Sequence, residues 1–554
     1  MKTVIIGGVA GGMSAATRLR RLDEEATIVV FERGGYVSFA NCGLPYFVGG
    51  VITERSSLLL QTPDGLAARF RLDVRIRHDV SAIDRVNRTV RVTDLSSGTT
   101  FDEPYDRLIL ATGAAAGDLE GAAGAPTFSL RTIDDIDHIT ATIDAVGTTA
   151  TAPASAIVIG AGFIGLEAVE NLRRRGVQVT LVQRGPQVFS PLDPEMASPV
   201  LRELVAHGID VRLNTTVASA TAEGLLLSDG SLVRADLVID ASGVHPQSEL
   251  AAAAGLALGE SGGIVVDEFQ RTNDPDVYAV GDGVLKVDSL DGGDTLVTMA
   301  GLANRHGRAA ADSIAGTPHP AAPALGTAIV GVFDLTVALT GWSESRLVAA
   351  NRSHRVIHTH PASHASYYPG AEQMAMKLLV DPDTDRILGA QIVGGQGVDK
   401  RIDVIAVAMT AGITASGLKD LELAYAPQYG SAKDPINQIG YVADNLHSGL
   451  GRNIQWHELE QAREAGTVLI DVRTSAEFSA GHIPGALNLP IDELRERLDE
   501  LPLTSLIVHC QVGQRGHTAA RMLVQHGFDA RNLDGGYLTW RAGIASVAGP
   551  ALQG

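Results

Sequence analysis

"AIVIGAGFIGLEAVENLRRRGVQVTLVQRG", residues 156–185, sets the frame for the rest of the chain. An apolar run enters Gly160 directly, as a buried parallel strand does when it ends in a tight turn. Gly162 and Gly165 complete a G-x-G-x-x-G spacing, and a helical pattern follows. A second apolar run, "VQVTLV", then reaches Gln183 and Arg184. Strand, glycine turn, helix and strand together make a dinucleotide unit, in which glycines let the backbone approach a pyrophosphate at a helix N-terminus. The acid that would hold a ribose 2′-hydroxyl is replaced by Gln183, and Arg184 beside it suits a 2′-phosphate. The pattern therefore admits NADH or NADPH. A single arginine without a basic neighbour favours NADH.

A second unit of the same kind opens the chain. Val4-Ile5-Ile6 is followed by "GGVAGG", a helix through Arg21, and "ATIVVFER", which ends at Glu32 and Arg33. Gly7, Gly8 and Gly12 form the turn, and Val9 stands where the second glycine is expected. Glu32 lies about twenty residues after Gly12, where an acid binds ribose. The first sixteen residues also have the outline of a signal peptide, but the nucleotide reading accounts for more of them. Two units imply two dinucleotides, with electron transfer between them. "YDRLILATGA", with Thr112 and Gly113, and "RTNDPDVYAVGD", ending in Asp282 before an expected helix, resemble the connecting and terminal motifs of two-dinucleotide flavoproteins. In those proteins the aspartate binds the ribityl chain of the flavin.

Composition bounds the alternatives. The chain has 554 residues, 61 glycines, 5% aromatics and a formal charge of −20, a profile of α/β proteins that argues against nucleic-acid binding. No apolar run is long enough to span a membrane. The two cysteines, Cys42 and Cys510, cannot make a disulfide framework. They fit a reducing cytoplasm, where each is a candidate for chemistry. The sixteen histidines make no zinc-binding pattern, so no metal is expected.

Cys42 sits in "YVSFANCGLPYFVGG", residues 36–50. With "GGVAGGMSAATRLRRL", "SHASYYPGAEQMAMKLLVD" and "YAPQYGSAKDPINQIGYVADN", this stretch resembles the flavoprotein disulfide reductases. The likeness covers residues 1 to about 445 and is to their single-cysteine branch, coenzyme A-disulfide reductase. Dithiol members carry a C-x4-C pair; this chain has Cys42 alone. A lone thiol can cycle two electrons as a mixed disulfide with a substrate thiol, or as a sulfenic acid in an NADH oxidase or peroxidase. A non-redox sulfur carrier or sensor is a third class, but it needs no nicotinamide site.

The resemblance implies FAD at Gly7, Gly8, Gly12, Glu32, Arg33, Val80, Thr112, Gly113 and Asp282, and NAD(P)H at Gly160, Gly162, Gly165, Gln183 and Arg184. It implies coenzyme A at Ser14, Arg18, Arg21, Ser38, Asn41, Asn304, Arg305 and Lys433. Arg18 and Arg21, three apart, share a helix face. It also implies a homodimer in which Tyr367 and Tyr425 are donated across the interface to stabilise a departing thiolate.

After the polar stretch "NLHSGLGRNIQW", residues 467–490 and 506–528 resemble a rhodanese domain. Cys510 follows the strand "LIVH", and Gln511, Val512, Gly513, Gln514 and Arg515 form a loop before a helix. Successive N–H groups there would make an anion nest able to hold a persulfide. Asp471 and Arg473 are expected to organise the domain.

The fold class expected is α/β. Two Rossmann-like domains, for FAD (1–113 and 271–325) and NAD(P) (151–270), are joined by a connecting segment (114–150). An α+β dimerisation domain (326–445), a linker (446–453) and an α/β rhodanese domain (454–554) follow. The activity expected is NAD(P)H- and FAD-dependent reduction of CoA persulfide, polysulfide or CoA disulfide through a Cys42–CoA mixed disulfide. Cys510 would supply sulfane sulfur.

Overall fold

The computed structural model describes residues 1–117, 126–149, 153–221 and 224–548. Parts of the expected connecting segment (118–125 and 150) and the last six residues lie outside them. The chain divides into two compact units. One is Met1–Val182 with Thr216–Leu325, and the other is Gln183–Thr215 with Gly326–Gly554.

The first unit is built on two parallel sheets. One runs Val277–Ala279, Arg107–Leu110, Lys2–Ile6, Thr27–Glu32, Asp73–Ile76 in spatial order, every neighbouring pair parallel. The other runs Gln178–Val182, Ser155–Ile159, Leu237–Asp240, Thr127–Phe128, again parallel. Their central strands are apolar on both faces because helices or meanders cover both: Val4 and Ile5 are fully buried, as are Val158 and Val238. On one face of the first sheet the helix Ala10–Leu22 packs with the helix Ala300–Ile314 through Ala15, Ala16, Ala310 and Ala311. These helices approach so closely that a Cβ on Gly307 would lie 2.2 Å from the carbonyl oxygen of Gly11.

The two fingerprints share one steric logic. A Cβ on Gly7 would lie 2.2 Å from the Ala111 carbonyl oxygen, and one on Gly12 would lie 1.9 Å from that of Gly7. In the second fingerprint a Cβ on Gly160 would lie 2.3 Å from the Ala241 oxygen, and one on Gly165 would lie 1.9 Å from the Gly160 oxygen. The first and third glycines are therefore required by the fold itself. The middle position is the helix N-cap in both units, and a Cβ on Gly162 would meet nothing within 4 Å. Val9 can therefore replace glycine without strain, at φ −112°.

One local expectation is corrected. Asp282 is not followed by a helix: Gly281 turns the chain at φ +90°, and residues 282–299 form a loop with a short hairpin, Lys286–Val287 against Asp294–Thr295. The double glycine 292–293 makes that turn, with Gly292 at φ +76°, and the helix begins only at Ala300.

In the second unit an antiparallel sheet, Ala328–Val332, Leu335–Gly341, Ile387–Gly394, Ala375–Val380, Arg355–Thr359, is covered by the helices Val398–Ala411 and Pro435–His447. Ile402, Ile405, Ile436 and Ile439 form the shared core. Beyond residue 452 a parallel sheet runs Asn453–Ile454, Ala530–Leu533, Leu506–His509, Val468–Asp471, Leu487–Asn488. Among the described residues no helix is long and apolar enough to cross a membrane.

Candidate active sites

The first candidate site lies in the first unit, where "SFANCGLPYFV" leaves the sheet. Ser38 holds a left-handed backbone at φ 48°, its N–H donating to the Gly8 carbonyl at 2.8 Å. That bond ties the cysteine segment to the first fingerprint. Asn41–Gly43 forms a 3-10 turn carrying Cys42, and Leu44–Val48 continues as a short helix with Pro45 in its first turn. This helix packs on Phe163–Arg174, the helix of the second fingerprint. A Cβ on Gly49 would lie 2.1 Å from Asn171 Oδ1, and Arg175 donates to the Val48 carbonyl at 3.2 Å.

Cys42 is a free thiol that reaches solvent. Partial burial nevertheless raises its pKa, and the carboxylates of Glu167 and Asp282 push it further in the same direction. Glu167 projects from the second fingerprint's helix and accepts from the Tyr46 hydroxyl at 3.4 Å. Burial carries its carboxyl to about 7, against the Tyr46 bond, and neighbouring Glu170 adds to the rise. Burial likewise raises Asp282, opposed by Lys286 and Arg131. Lys286 is buried, donates to the carbonyls of Gly281 and Val284 at 2.7 Å, and falls to about 8 through desolvation. Sequence reasoning missed Glu167, Arg131 and Lys286. The only signal for Glu167 was an acid early in a helix whose Leu166, Ala168 and Val169 face the core.

Residues expected to hold FAD lie in the same unit. Glu32 accepts from the N–H groups of Gly8 (2.8 Å) and Gly34 (2.7 Å), beside exposed Arg33. Thr112 donates its hydroxyl to the Gln247 carbonyl at 2.7 Å. A Cβ on Gly283 would lie 2.7 Å from the Gly113 carbonyl oxygen, so the segments carrying Gly113 and Asp282 are in contact. Val80 lies half-buried on the strand His78–Asp84. Neither helix Ala10–Leu22 nor helix Phe163–Arg174 has a side-chain cap, so each N-terminus is suited to a diphosphate.

On the exposed side of the first helix Ser14 donates to Asn304 Oδ1 at 2.8 Å. Arg18 is paired with Asp312 at 2.6 Å, whereas Arg21 and Arg305 are exposed. The shared face expected for Arg18 and Arg21 thus carries less net positive charge than its arginines imply.

In the second unit Gln183 and Arg184 follow the strand that ends at Val182. The Gln183 N–H donates to the Arg212 carbonyl at 2.8 Å, and Arg184 is exposed. Tyr367 and Tyr425, 58 residues apart, bring their hydroxyls to 2.8 Å. Both phenols are exposed, 75% and 49%. The hydrogen bond between the two phenols raises the pKa of Tyr425. Lys433 is exposed just before the helix Pro435–His447.

The second candidate site is the loop after the strand Leu506–His509. Cys510 is a fully buried free thiol, Gly513 turns the chain at φ +89° as N-cap, and the helix Gln514–Gln525 begins. The N–H groups of Tyr537 and Leu538 donate to the carbonyls of Cys510 (2.8 Å) and Gln511 (3.1 Å). Gly536 permits that approach, since a Cβ there would lie 2.5 Å from the Cys510 oxygen. Arg473, fully buried, donates to both Asp471 oxygens, to the Gly481 carbonyl and, at 2.9 Å, to Gln511 Oε1; its guanidinium lies over the Tyr537 ring. His509 is desolvated to about 4 and so stays neutral. Arg515 is held bidentately by Glu477 at 2.6 and 2.8 Å. Glu477 was not anticipated, although its T-x-x-E capping box was legible.

Residues 1–306 match the family described as pyridine nucleotide-disulphide oxidoreductase, residues 327–434 its dimerisation domain, and residues 455–543 a rhodanese-like domain. A coenzyme A disulfide reductase of Staphylococcus haemolyticus is 35% identical over 446 residues, 80% of this chain and 100% of the relative. The structure described as reduced Bacillus anthracis CoADR-RHD is 45% identical, covers 98% of both chains and has a TM-score of 0.95. A NAD-dependent persulfide reductase from A. fulgidus is 36% identical, covers 98% of this chain and 100% of its own, and has a TM-score of 0.90. A water-forming NADH oxidase from Lactobacillus brevis, 23% identical over 81% of this chain with a TM-score of 0.75, shares the fold. With more than half its length matched, and with a thiol set between two dinucleotide units, the chain belongs to the pyridine nucleotide-disulphide oxidoreductase family and carries a C-terminal rhodanese-like domain.

Proposed function

We propose that the protein reduces CoA persulfide and CoA disulfide with electrons from NAD(P)H, through a mixed disulfide between Cys42 and coenzyme A, and that Cys510 supplies sulfane sulfur to that cycle. The observation that carries this reading is the single free thiol beside the first fingerprint, with no second cysteine to form an internal disulfide. The names of the relatives support the same substrates.

In this reading residues 1–113 and 271–325 hold FAD, 151–270 hold the nicotinamide cofactor, 326–445 make a homodimer and 454–554 transfer sulfur. The uncapped helix N-termini, the glycine turns and the acids Glu32 and Asp282 fit two dinucleotides. Bound there, FAD and NAD(P)H would supply two-electron redox chemistry. Ser14, Arg18, Arg21, Ser38, Asn41, Asn304, Arg305 and Lys433 would orient coenzyme A.

Cys42, as thiolate, attacks the CoA-bearing sulfur of CoA persulfide. A Cys42–CoA disulfide forms and hydrosulfide leaves; with CoA disulfide the leaving group is a CoA thiolate. Cleavage of the mixed disulfide by two electrons releases CoA thiolate and restores Cys42. Tyr367 and Tyr425, one phenol already donating to the other, would steady the departing thiolate. Glu167, with its carboxyl near 7 and its charge acting on Cys42, would exchange a proton there.

The alternative, an oxidase cycling Cys42 through a sulfenic acid, has weaker support, since the oxidase likeness bears on the fold alone. Mass spectrometry of the unreduced protein separates the two. A CoA adduct on the Cys42 peptide, discharged by NAD(P)H, is expected. A sulfenic acid trapped by dimedone, with no CoA adduct, would overturn the mixed-disulfide mechanism.

A further inference from the structure

The antiparallel sheet of the second unit ends on the strand Arg355–Thr359, an edge whose outward backbone groups need partners. Side chains from beyond residue 452 supply them. The His358 N–H donates to Asp534 Oδ2 at 2.8 Å, and the Val356 carbonyl accepts from Gln455 Nε2 at 3.1 Å. His358 Nδ1 adds a second bond to the same Asp534 oxygen at 2.7 Å, and Asn453 holds the other oxygen at 2.7 Å. Just past the strand, His360 Nε2 meets Thr539 Oγ1 at 2.7 Å. Burial, and then the charge on His358, lower the His360 ring to about 3, so it is neutral.

Between Asp534 and Thr539 runs the turn that backs the Cys510 loop. Gly535 and Gly536 both stand at φ +64°. A Cβ on Gly535 would lie 2.0 Å from Thr539 Oγ1 and 2.8 Å from the His358 Cβ. One on Gly536 would lie 2.7 Å from the Gly513 nitrogen. The turn therefore fills the space between the two histidines and the loop. Its next N–H groups, those of Tyr537 and Leu538, fix the carbonyls of Cys510 and Gln511. Because a peptide unit is planar, fixing those carbonyls also aims the N–H groups of Gln511 and Val512, the start of the expected anion nest.

Building on the sulfur-transfer reading above, we propose that His358 and His360 of the dimerisation domain are positioning residues for sulfur transfer at Cys510. Through Asp534 and Thr539 they hold the turn, and the turn aims the N–H groups of the cysteine loop. A thiolate and a persulfide anion at Cys510 are both negative, so N–H groups already in place stabilise them without reorganising at each transfer. His358 suits the task because its far side is anchored. It lies directly opposite Lys377 in the sheet, and its Nε2 reaches Glu195 at 3.1 Å, which Lys377 also contacts. The rhodanese-like domain thus takes part of its working geometry from the domain before it.

The test uses the full chain with NAD(P)H omitted, glutathione persulfide as donor and CoA as acceptor, and CoA persulfide is quantified. Cys510→Ser gives the background. His358→Asn places an amide donor where Nδ1 stands and keeps the bond to Asp534. His358→Gln places it nearer Nε2 and keeps only the bond to Glu195. Each variant retains one of the two bonds, so a purely structural role would penalise them alike. His358→Gln should lower kcat by about tenfold or more with KM for CoA within about twofold, and His358→Asn should recover most of that loss. Thr539→Val, read against Thr539→Ser, tests His360 without touching the ionic chain: the valine variant should lose kcat and the serine variant keep it. Equal kcat within either pair, or a loss carried wholly by KM, would overturn the proposal. Where a His358 variant does not fold, the Thr539 pair decides alone. Failure of the underlying reading looks different: the parent itself would yield no CoA persulfide above the Cys510→Ser background.

Discussion

At the scale of single residues, Cys42 is set against its own ionisation. Burial disfavours the thiolate, and two carboxylates face it. Of these, Glu167 has its carboxyl at about 7, so its charge changes across the neutral range. As pH rises through that value the acid ionises and makes proton loss from Cys42 harder. Glu167→Gln removes that charge. Its expected effect is a lower pH midpoint for alkylation of Cys42 by iodoacetamide, measured in a Cys510→Ser background so that one thiol reacts. An unmoved or raised midpoint would show that Glu167 does not govern the thiol. Part of this site was legible in the sequence. The first and third glycines of each fingerprint are demanded by backbone contacts that recur wherever the turn occurs, so spacing alone reveals them. Glu167 was not legible. Its role arises from the packing of the short helix Leu44–Val48 on a helix more than a hundred residues later, and no local pattern encodes that contact.

Between elements, the second unit is joined by a buried ionic chain. Lys377, fully buried on the strand Ala375–Val380, contacts Asp193, Glu195 and Glu344. His358, on the adjacent strand Arg355–Thr359, contacts Glu195 at 3.1 Å and, at 2.7 Å, Asp534 in the turn after Ala530–Leu533. Asp534 immediately precedes Gly535 and Gly536, which pack against the Cys510 loop. Burial alone would strip the His358 proton, but the bonds to Asp534 and Glu195 outweigh it and carry the pKa to about 9. The folded value is raised, so the linked stability is fully present below the ordinary histidine value of about 6.5 and is lost as pH climbs through about 9. His358→Leu leaves two buried carboxylates short of a partner, and it should cost about 3 kcal/mol or more at pH 7. Denaturant unfolding followed at tryptophan would measure this. The gap between parent and variant should narrow towards pH 10; a constant gap would mean that His358 is not charged in the native state. The members of this chain lie between positions 193 and 534, too dispersed for sequence periodicity to connect. A readable trace existed in "RVIHT" and "AMKLLV", strands in which His358 and Lys377 follow or interrupt apolar residues. Such a residue requires a buried partner but does not identify it.

For the whole molecule, the central question is whether its two thiols form one catalytic cycle or two. Each cysteine has its own supporting groups: Cys42 has the fingerprint turn, Tyr46 and Glu167, and Cys510 has Arg473, Arg515 and the turn at Gly536. The residues organising one site do not recur in the other, so a carrier able to visit both can link them without contact between the sulfurs. Coenzyme A serves that purpose in the proposed cycle, receiving sulfur at Cys510 and losing it at Cys42. If this is correct, Cys510→Ser should reduce preformed CoA persulfide within about twofold of the parent, as independent sites behave. The same variant should lose NAD(P)H oxidation when an organic persulfide and free CoA are supplied separately. Cys42→Ser should show the converse, accumulating CoA persulfide without oxidising NAD(P)H. Loss of activity on preformed CoA persulfide in Cys510→Ser would make Cys510 an obligatory relay within a single cycle. Full activity of that variant on every donor would instead leave the rhodanese-like domain without a part in turnover, and the carrier argument would fall with it.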